Sequence, residues 1–125
     1  MVVGIGTDIL LIDRIRQASL DMTDAFVIKT FTENEQAQAV KRNDTALFFA
    51  TRFAGKEAVF KSLNTDGSVG SLKQIEILSD ENDRPYVTLH GAFQELAQEK
   101  GIIDILISLS NDSAYVSAFA VAQSK

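Results

Sequence analysis

The chain has no cysteine, no tryptophan, one proline and one histidine among its 125 residues. Without cysteine there is no disulfide, no zinc–thiolate centre and no thiol nucleophile. The lone histidine, His90, follows a strand and precedes Gly91, away from Ser108, Ser110 and Ser113. A serine-hydrolase triad is therefore not expected, and His90 reads as structural or exposed. No run approaches the roughly 20 apolar residues that a bilayer span needs, so no membrane partner is expected. The opening MVVGIGTDIL lacks a basic n-region and a long apolar stretch and does not read as a signal peptide. A reducing, cytoplasmic location follows as the expectation. Positive charge is scarce: 12 Lys and Arg stand against 17 Asp and Glu, for a net charge of −5. That balance argues against nucleic acid as the main partner.

What is present suits a globular chain. Hydrophobic residues make up 46% and charged residues 23%, enough for one domain, 1–125, with its own core. No repeat, low-complexity tract or linker interrupts it. The charge is uneven. Residues 1–61 hold eight basic and eight acidic residues, whereas 62–125 hold four and nine. An anionic ligand would be favoured nearer the first half.

Local patterns predict an order of elements. Val2–Ile9 reads as a buried strand or extended segment, and its glycines, Gly4 and Gly6, would let another group approach the backbone closely. A short helix is expected from about Asp13 to Leu20. Thr32 and Glu35 form a capping-box pattern and should start a helix running to about Arg42. Asn43-Asp44-Thr45 breaks the chain and caps a long helix over 46–63. Strands are expected at 74–79 and 86–89, joined by the turn that holds Pro85. A helix over 91–100 stops at Gly101. Two final strands, 103–109 and 115–122, are joined by a loop at Ser110-Asn111-Asp112-Ser113. The predicted fold class is α+β, with a mainly antiparallel sheet packed against one long helix and several shorter ones.

The segment Arg52-Phe53-Ala54-Gly55-Lys56-Glu57-Ala58-Val59-Phe60-Lys61 is the richest in chemistry. Residues three and four apart are neighbours on a helix. Phe49, Phe53 and Phe60 share an apolar side, while Glu57 stacks on Lys61 and Arg52 on Lys56. A carboxylate among cations is what Mg²⁺ and a polyphosphate would need. The same pattern suits an ordinary amphipathic helix. Gly55 within it suggests a close approach of backbone, ligand or neighbouring chain, or simple tolerance. Asp8 ends an apolar, glycine-rich run, where a charge is hard to bury unless it is paired or metal-bound; a cap or turn role is the alternative. Mg²⁺ commonly takes one or two protein carboxylates and fills its shell with phosphate and water oxygens. Asp8 and Glu57 would serve if the fold brought them together.

GIGTDI at residues 4–9 and RFAGKEAVFKSL at 52–63 resemble the two signature motifs of the holo-acyl-carrier-protein synthases, small bacterial 4′-phosphopantetheinyl transferases. IEILSDENDRPYVTLHG and ILISLSNDSAYVSAFAV resemble the family's later strand pairs, so the likeness covers nearly the whole chain. It implies transfer of phosphopantetheine from coenzyme A to a serine of an acyl carrier protein, with release of 3′,5′-ADP and a requirement for Mg²⁺. It implies Asp8 and Glu57 as metal ligands, with Lys61 neutralising phosphate. Asp8, Glu57 and Lys61 together form the implied catalytic set. Arg52, Lys56, Lys61, Ser110 and Asn111 are implied at the coenzyme. The family docks its carrier on a basic first helix, which implies Arg14 and Arg16 here; the segment turns acidic at Asp21 and Asp24, so a weaker or differently placed footprint is expected, with Lys29, Lys41 and Arg42 as contributing cations. The family also implies a homotrimer with sites at subunit junctions. The chain departs from the family in carrying Asn111 where a histidine is usual, and Asn64-Thr65-Asp66-Gly67 where Gly-Thr-Gly is usual. Those departures, with Asp112, motivate an alternative: a divergent, non-catalytic member that binds carrier protein or nucleotide. A generic Mg²⁺-dependent phosphohydrolase is a third reading.

Overall fold

The computed structural model describes residues 1–21 and 23–125. Strand β1 (Val2–Leu11) is followed by helices α1 (Ile12–Ala18), α2 (Ala25–Thr30), α3 (Glu33–Ala39) and α4 (Thr45–Ser62). After a 3₁₀ turn at Leu72–Gln74 come β2 (Ile75–Ser79), β3 (Pro85–Leu89), α5 (Gly91–Glu99), β4 (Ile102–Asn111) and β5 (Tyr115–Ser124). The strands form two antiparallel sheets, β1-β5-β4 and β2-β3. The α+β class stands as predicted, with the strands divided between two sheets.

Most boundaries lie within a few residues of the sequence reading, and the differences have local causes. Helix α2 went unpredicted because six residues show no helical period; Phe26 and Phe31 anchor it, their ring centroids 5.7 Å apart. Helix α3 has the expected box: Thr32 Oγ1 accepts from Glu35 N–H at 3.1 Å, and Glu35 Oε1 accepts from Thr32 N–H at 2.9 Å. It ends at Ala39, short of Arg42. Asp44 caps α4 by accepting from Leu47 N–H at 3.1 Å. The last hairpin is tighter than predicted. Asp112 Oδ1 accepts from Ala114 and Tyr115 N–H, a side-chain turn that lets pairing continue through Ser110 and Asn111. Both residues sit in β4, not in a loop.

Helix α4 is the spine of the core. An amphipathic helix would expose one face, but α4 is buried around most of its circumference, including Phe49, Ala54, Lys56, Val59 and Ser62. The groups approaching Gly55 are the side chains of Ile77, Ile107 and Leu109.

Strand β1 lies directly on α4, and two glycines permit it. A Cβ on Gly6 would stand 1.9 Å from the carbonyl oxygen of Ala58, and one on Gly4 2.0 Å from that of Ser62. Side chains alternate along a strand, so Gly4, Gly6 and Asp8 all face the helix. Two strand residues advance about 6.8 Å and four helical residues about 6 Å, so the pair stays in step from Gly4/Ser62 to Gly6/Ala58. That register brings Asp8 to the middle of α4. Gly6→Ala should therefore push β1 off the helix, costing about 1–3 kcal/mol in a chemical-denaturation midpoint. A variant as stable as the parent, with unchanged activity, would show that the approach does not matter.

Candidate active site

Asp8 projects from β1 toward α4, where Glu57 and Lys61 are one helical turn apart. Helical side chains lean toward the N-terminus of their helix, which carries Lys61 back past Glu57 to the strand. Its Nζ donates to the Thr7 carbonyl at 2.9 Å and lies 3.4 Å from Asp8 Oδ1. Asp8 is mostly covered, its side chain 18% exposed, while that of Lys61 is half open at 51%. Two acids and a lysine thus come together from motifs about fifty residues apart.

Glu57 carries the electrostatic signature of this arrangement. Partial burial pushes its carboxyl above the ordinary glutamate range, the charge of Asp8 pushes it further, and Lys61 offsets part of the rise. The folded chain therefore binds more protons than the unfolded chain over the window between the ordinary and the raised value. Stability falls as pH rises through that window. Glu57→Gln removes the penalty. The variant should melt at or above the parent's temperature at neutral pH without added metal, and the difference should vanish below about pH 3.5, where both states are largely protonated. A variant that melts lower at neutral pH would contradict this sign.

The carboxylate pair fits a hard divalent cation. Both groups supply oxygen, the ligand Mg²⁺ prefers, and the charge of Asp8 raises the cost of ionising Glu57, a cost that a cation between them would offset. No cluster of three or more His, Asp or Glu residues suited to a metal occurs among the described residues. Two carboxylates leave most coordination positions for substrate oxygens and water.

The other implied residues lie elsewhere. Arg52 is nearly buried. It donates from Nε to the Ile77 carbonyl at 3.3 Å and from Nη2 to Ser79 Oγ, and it lies 4.1 Å over the Phe48 ring. Burial, with Arg42 nearby, lowers its pKa to about 10, so it stays charged at neutral pH. Arg42, Arg52, Ser79, Asp83 and Asn111 line a cavity of about 620 Å³. Asn111 also borders a smaller hollow of about 260 Å³, with Ser110 and Ile9. Residues 52 and 57 of a helix are about 7.5 Å apart along the axis and about 140° apart around it. The arginine cavity and the carboxylate pair therefore open on different sides of α4.

Lys56 does not reach a ligand in this fold, contrary to the expectation from its motif. Its side chain is fully buried. Its ammonium meets Glu35 Oε1 at 2.8 Å and donates to the carbonyls of Ile75 at 2.6 Å and Leu72 at 3.0 Å, which uses all three donors. On α1, Arg14 is exposed, but Arg16 grips Asp44 with two bonds of 3.0 and 3.1 Å. Arg16 ties α1 to the start of α4, which leaves Arg14 as the freer cation. Asp66 and Asp112 both serve their own turns: Asp66 accepts from Ser68 N–H, and Asp112 from Ala114 and Tyr115.

Sequence reasoning did not single out Ser79 or Asp83, and it gave Arg42 only a carrier-facing part. The cavity they form depends on the β2–β3 hairpin folding back over the start of α4. Arg84-Pro85 after an acidic turn marked the hairpin, not its partner.

Asp8, Glu57 and Lys61 thus meet where the glycine-bearing strand β1 lies against α4 in an α+β fold. A family model described as the 4′-phosphopantetheinyl transferase superfamily matches residues 4–120. The chain belongs to that superfamily. It is 42% identical to a holo-[acyl-carrier-protein] synthase of Protochlamydia amoebophila, over 97% of this chain and 98% of the relative. It is 41% identical to the holo-[acyl-carrier-protein] synthase of Alkaliphilus oremlandii, over 98% and 99%. Among solved structures, the holo-ACP-synthase of Plasmodium yoelii superposes with a TM-score of 0.85 at 33% identity, covering 100% of this chain and 97% of that one. A holo-(acyl-carrier-protein) synthase of Bacillus anthracis in complex with CoA (3′,5′-ADP) superposes at 0.80 with 30% identity, covering 100% and 99%.

Proposed function

We propose that residues 1–125 act as one transferase domain that moves the 4′-phosphopantetheine group of coenzyme A to a serine of an apo acyl carrier protein, releasing 3′,5′-ADP, with Mg²⁺ as cofactor. The observation that carries this reading is the meeting of Asp8, Glu57 and Lys61, three residues that sequence separates and the β1–α4 contact unites. The relatives named as holo-[acyl-carrier-protein] synthases, and the neighbour complexed with CoA (3′,5′-ADP), support the choice of substrates.

In this reaction the serine oxygen bonds to the pantetheine-side phosphorus, and the bridging P–O bond of the pyrophosphate breaks. The serine proton passes to Glu57 or to a water, and 3′,5′-ADP leaves with the electron pair of the broken bond. Asp8 and Glu57 would hold Mg²⁺, which when bound supplies Lewis-acid neutralisation of the pyrophosphate. Lys61, held by Thr7 and close to Asp8, keeps an ammonium beside the same oxygens. Arg52, Arg42 and Asn111 offer a second, nucleotide-facing surface with two guanidiniums and an amide. Arg14 on α1 offers an exposed cation to an acidic carrier. No described helix is long and apolar enough to cross a membrane, and the proposed site of action is the cytoplasm.

The two surfaces converge only if copies of the chain assemble. The face of the β1-β5-β4 sheet turned away from α4 is apolar and open, with Ile9 70% and Phe119 47% exposed, and Ile5, Leu106 and Tyr115 beside them. Such a contiguous patch marks an interface. We assign it to a homotrimer in which one copy's arginine cavity faces the next copy's carboxylate pair. Phe119→Glu should convert trimers to monomers in size-exclusion light scattering and lower transfer at least about tenfold. Monomers with full activity would refute the shared site.

The direct test is incubation of the protein with coenzyme A, Mg²⁺ and apo carrier proteins, read by mass spectrometry. Addition of a phosphopantetheine mass to the carrier is the expected result. No addition to any of several carriers, with coenzyme bound, would favour a non-catalytic binding protein instead.

A further inference from the structure

The cavity beside Arg52 holds two cations against one hydroxyl. Arg42 and Arg52 both donate through Nη2 to Ser79 Oγ. Both lie over the Phe48 ring, 5.1 and 4.1 Å from its centroid. A neutral hydroxyl cannot balance two guanidiniums. Two carboxylates line the cavity, Asp44 and Asp83. Asp44 is matched from α1 by Arg16 and occupied with the cap of α4. Asp83 reaches one member of the pair, Arg42: Oδ1 accepts from Arg42 Nη2 at 2.7 Å and Oδ2 lies 3.5 Å from Nη1, while Arg52 donates to Ile77, Thr51 and Ser79.

Asp83 is built to let go. It sits in the β2–β3 turn with φ of +59°, a left-handed conformation that aspartate tolerates but does not prefer. Its side chain is 69% exposed, and exposed ion pairs of this kind are weak. A phosphomonoester brings up to two negative charges and three acceptor oxygens, where a carboxylate brings one charge and two oxygens. A phosphomonoester that displaces Asp83 from Arg42 can also meet the charge of Arg52, which the carboxylate does not contact.

We propose that Asp83 is a tethered competitor for the nucleotide's 3′-phosphate: its carboxylate holds Arg42 in the free protein, gives way when coenzyme A binds, and returns as 3′,5′-ADP leaves. The role rests on the coenzyme A reading above. Asp83 thereby weakens both substrate and product through the phosphate they share, and a product that binds less tightly leaves faster.

The test is calorimetric titration of coenzyme A, 3′,5′-ADP and dephospho-coenzyme A into the parent, Asp83→Asn, Arg42→Gln and the double variant. Asparagine keeps the positive φ accessible and removes only the charge. Asp83→Asn should tighten coenzyme A and 3′,5′-ADP by about three- to tenfold, change dephospho-coenzyme A by less than about twofold, and lose most of its advantage in high salt. In the Arg42→Gln background the same substitution should be silent. If the parent binds coenzyme A and Asp83→Asn binds it no more tightly, the competitor role is overturned and the coenzyme reading stands. Equal tightening of dephospho-coenzyme A also overturns it. If no form binds coenzyme A or 3′,5′-ADP, the substrate reading falls and Asp83 falls with it.

Discussion

Glu57→Gln and Asp8→Asn should each lower carrier modification by about a thousandfold or more while leaving the fold in place. Each substitution keeps the side chain's size and removes one anionic ligand from the proposed cation. Neither residue belongs to the hydrophobic core: Asp8 reaches solvent at the strand edge of the site, and Glu57 is only partly covered. Circular dichroism and unfolding midpoints should therefore stay close to the parent's, and Glu57→Gln should gain stability at neutral pH through the relieved carboxylate. Lys61→Ala should lose less, since it removes a charge beside the substrate and leaves both carboxylates. Retention of more than about a tenth of parental kcat/KM in either carboxylate variant would remove that residue from the chemistry.

The largest effect on stability is expected at a residue that the sequence placed in the site. Lys56→Met should destabilise the chain by about 3–5 kcal/mol in urea unfolding, because it leaves Glu35 charged, buried and without its ammonium. Glu35 is tied on every side: to Lys56 at 2.8 Å, to Ile77 N–H at 2.8 Å and to Thr32 N–H at 2.9 Å. It thus joins α3, α4 and β2 at one point. Burial works against both charges, pushing Glu35 up and Lys56 down, while the 2.8 Å contact and the donated hydrogen bonds favour the ionised pair. The double variant Glu35→Gln/Lys56→Met should recover at least half of the loss, because no lone charge remains. A single Lys56→Met variant within about 1 kcal/mol of the parent would mean that Glu35 takes up a proton at little cost, and that the pair does not hold these elements together.

Lys56 also shows where the sequence is legible and where it is not. The cap of α4 at Asp44, the capping box of α3 and the antiparallel β2–β3 and β4–β5 pairs are local events, and local residues reveal them. The neighbourhood of Lys56 is not local. Glu35 was read only as a cap, yet the oxygen that serves the cap also meets a lysine 21 positions later, and its other oxygen accepts from Ile77 N–H. On a helix drawn alone, Lys56 falls beside Arg52 and looks like a ligand-binding cation. Packing of α3 and β2 over that face closes it off. Gly4 and Gly6 tell the opposite story: their absence of side chains hinted at close approach, and the approach is to the backbone of α4 at Ser62 and Ala58. That contact converts two separated motifs into one site. The arginine cavity was half legible. Arg52 and Asn111 were named, whereas Arg42, Ser79 and Asp83 join them only through the hairpin's fold-back. The third strand pairing, β1 with β5, connects the chain's two ends, and no short-range signal encodes it.

Titration with Mn²⁺ as a spin probe, in the presence of coenzyme A, tests the account's central claim most directly. The parent should bind one ion per carboxylate pair, with affinity that rises as pH rises through the elevated range of Glu57. Asp8→Asn and Glu57→Gln should each lose that ion while still binding coenzyme A through the arginine cavity. Undiminished Mn²⁺ binding in both variants would contradict the claim that these two acids hold the metal.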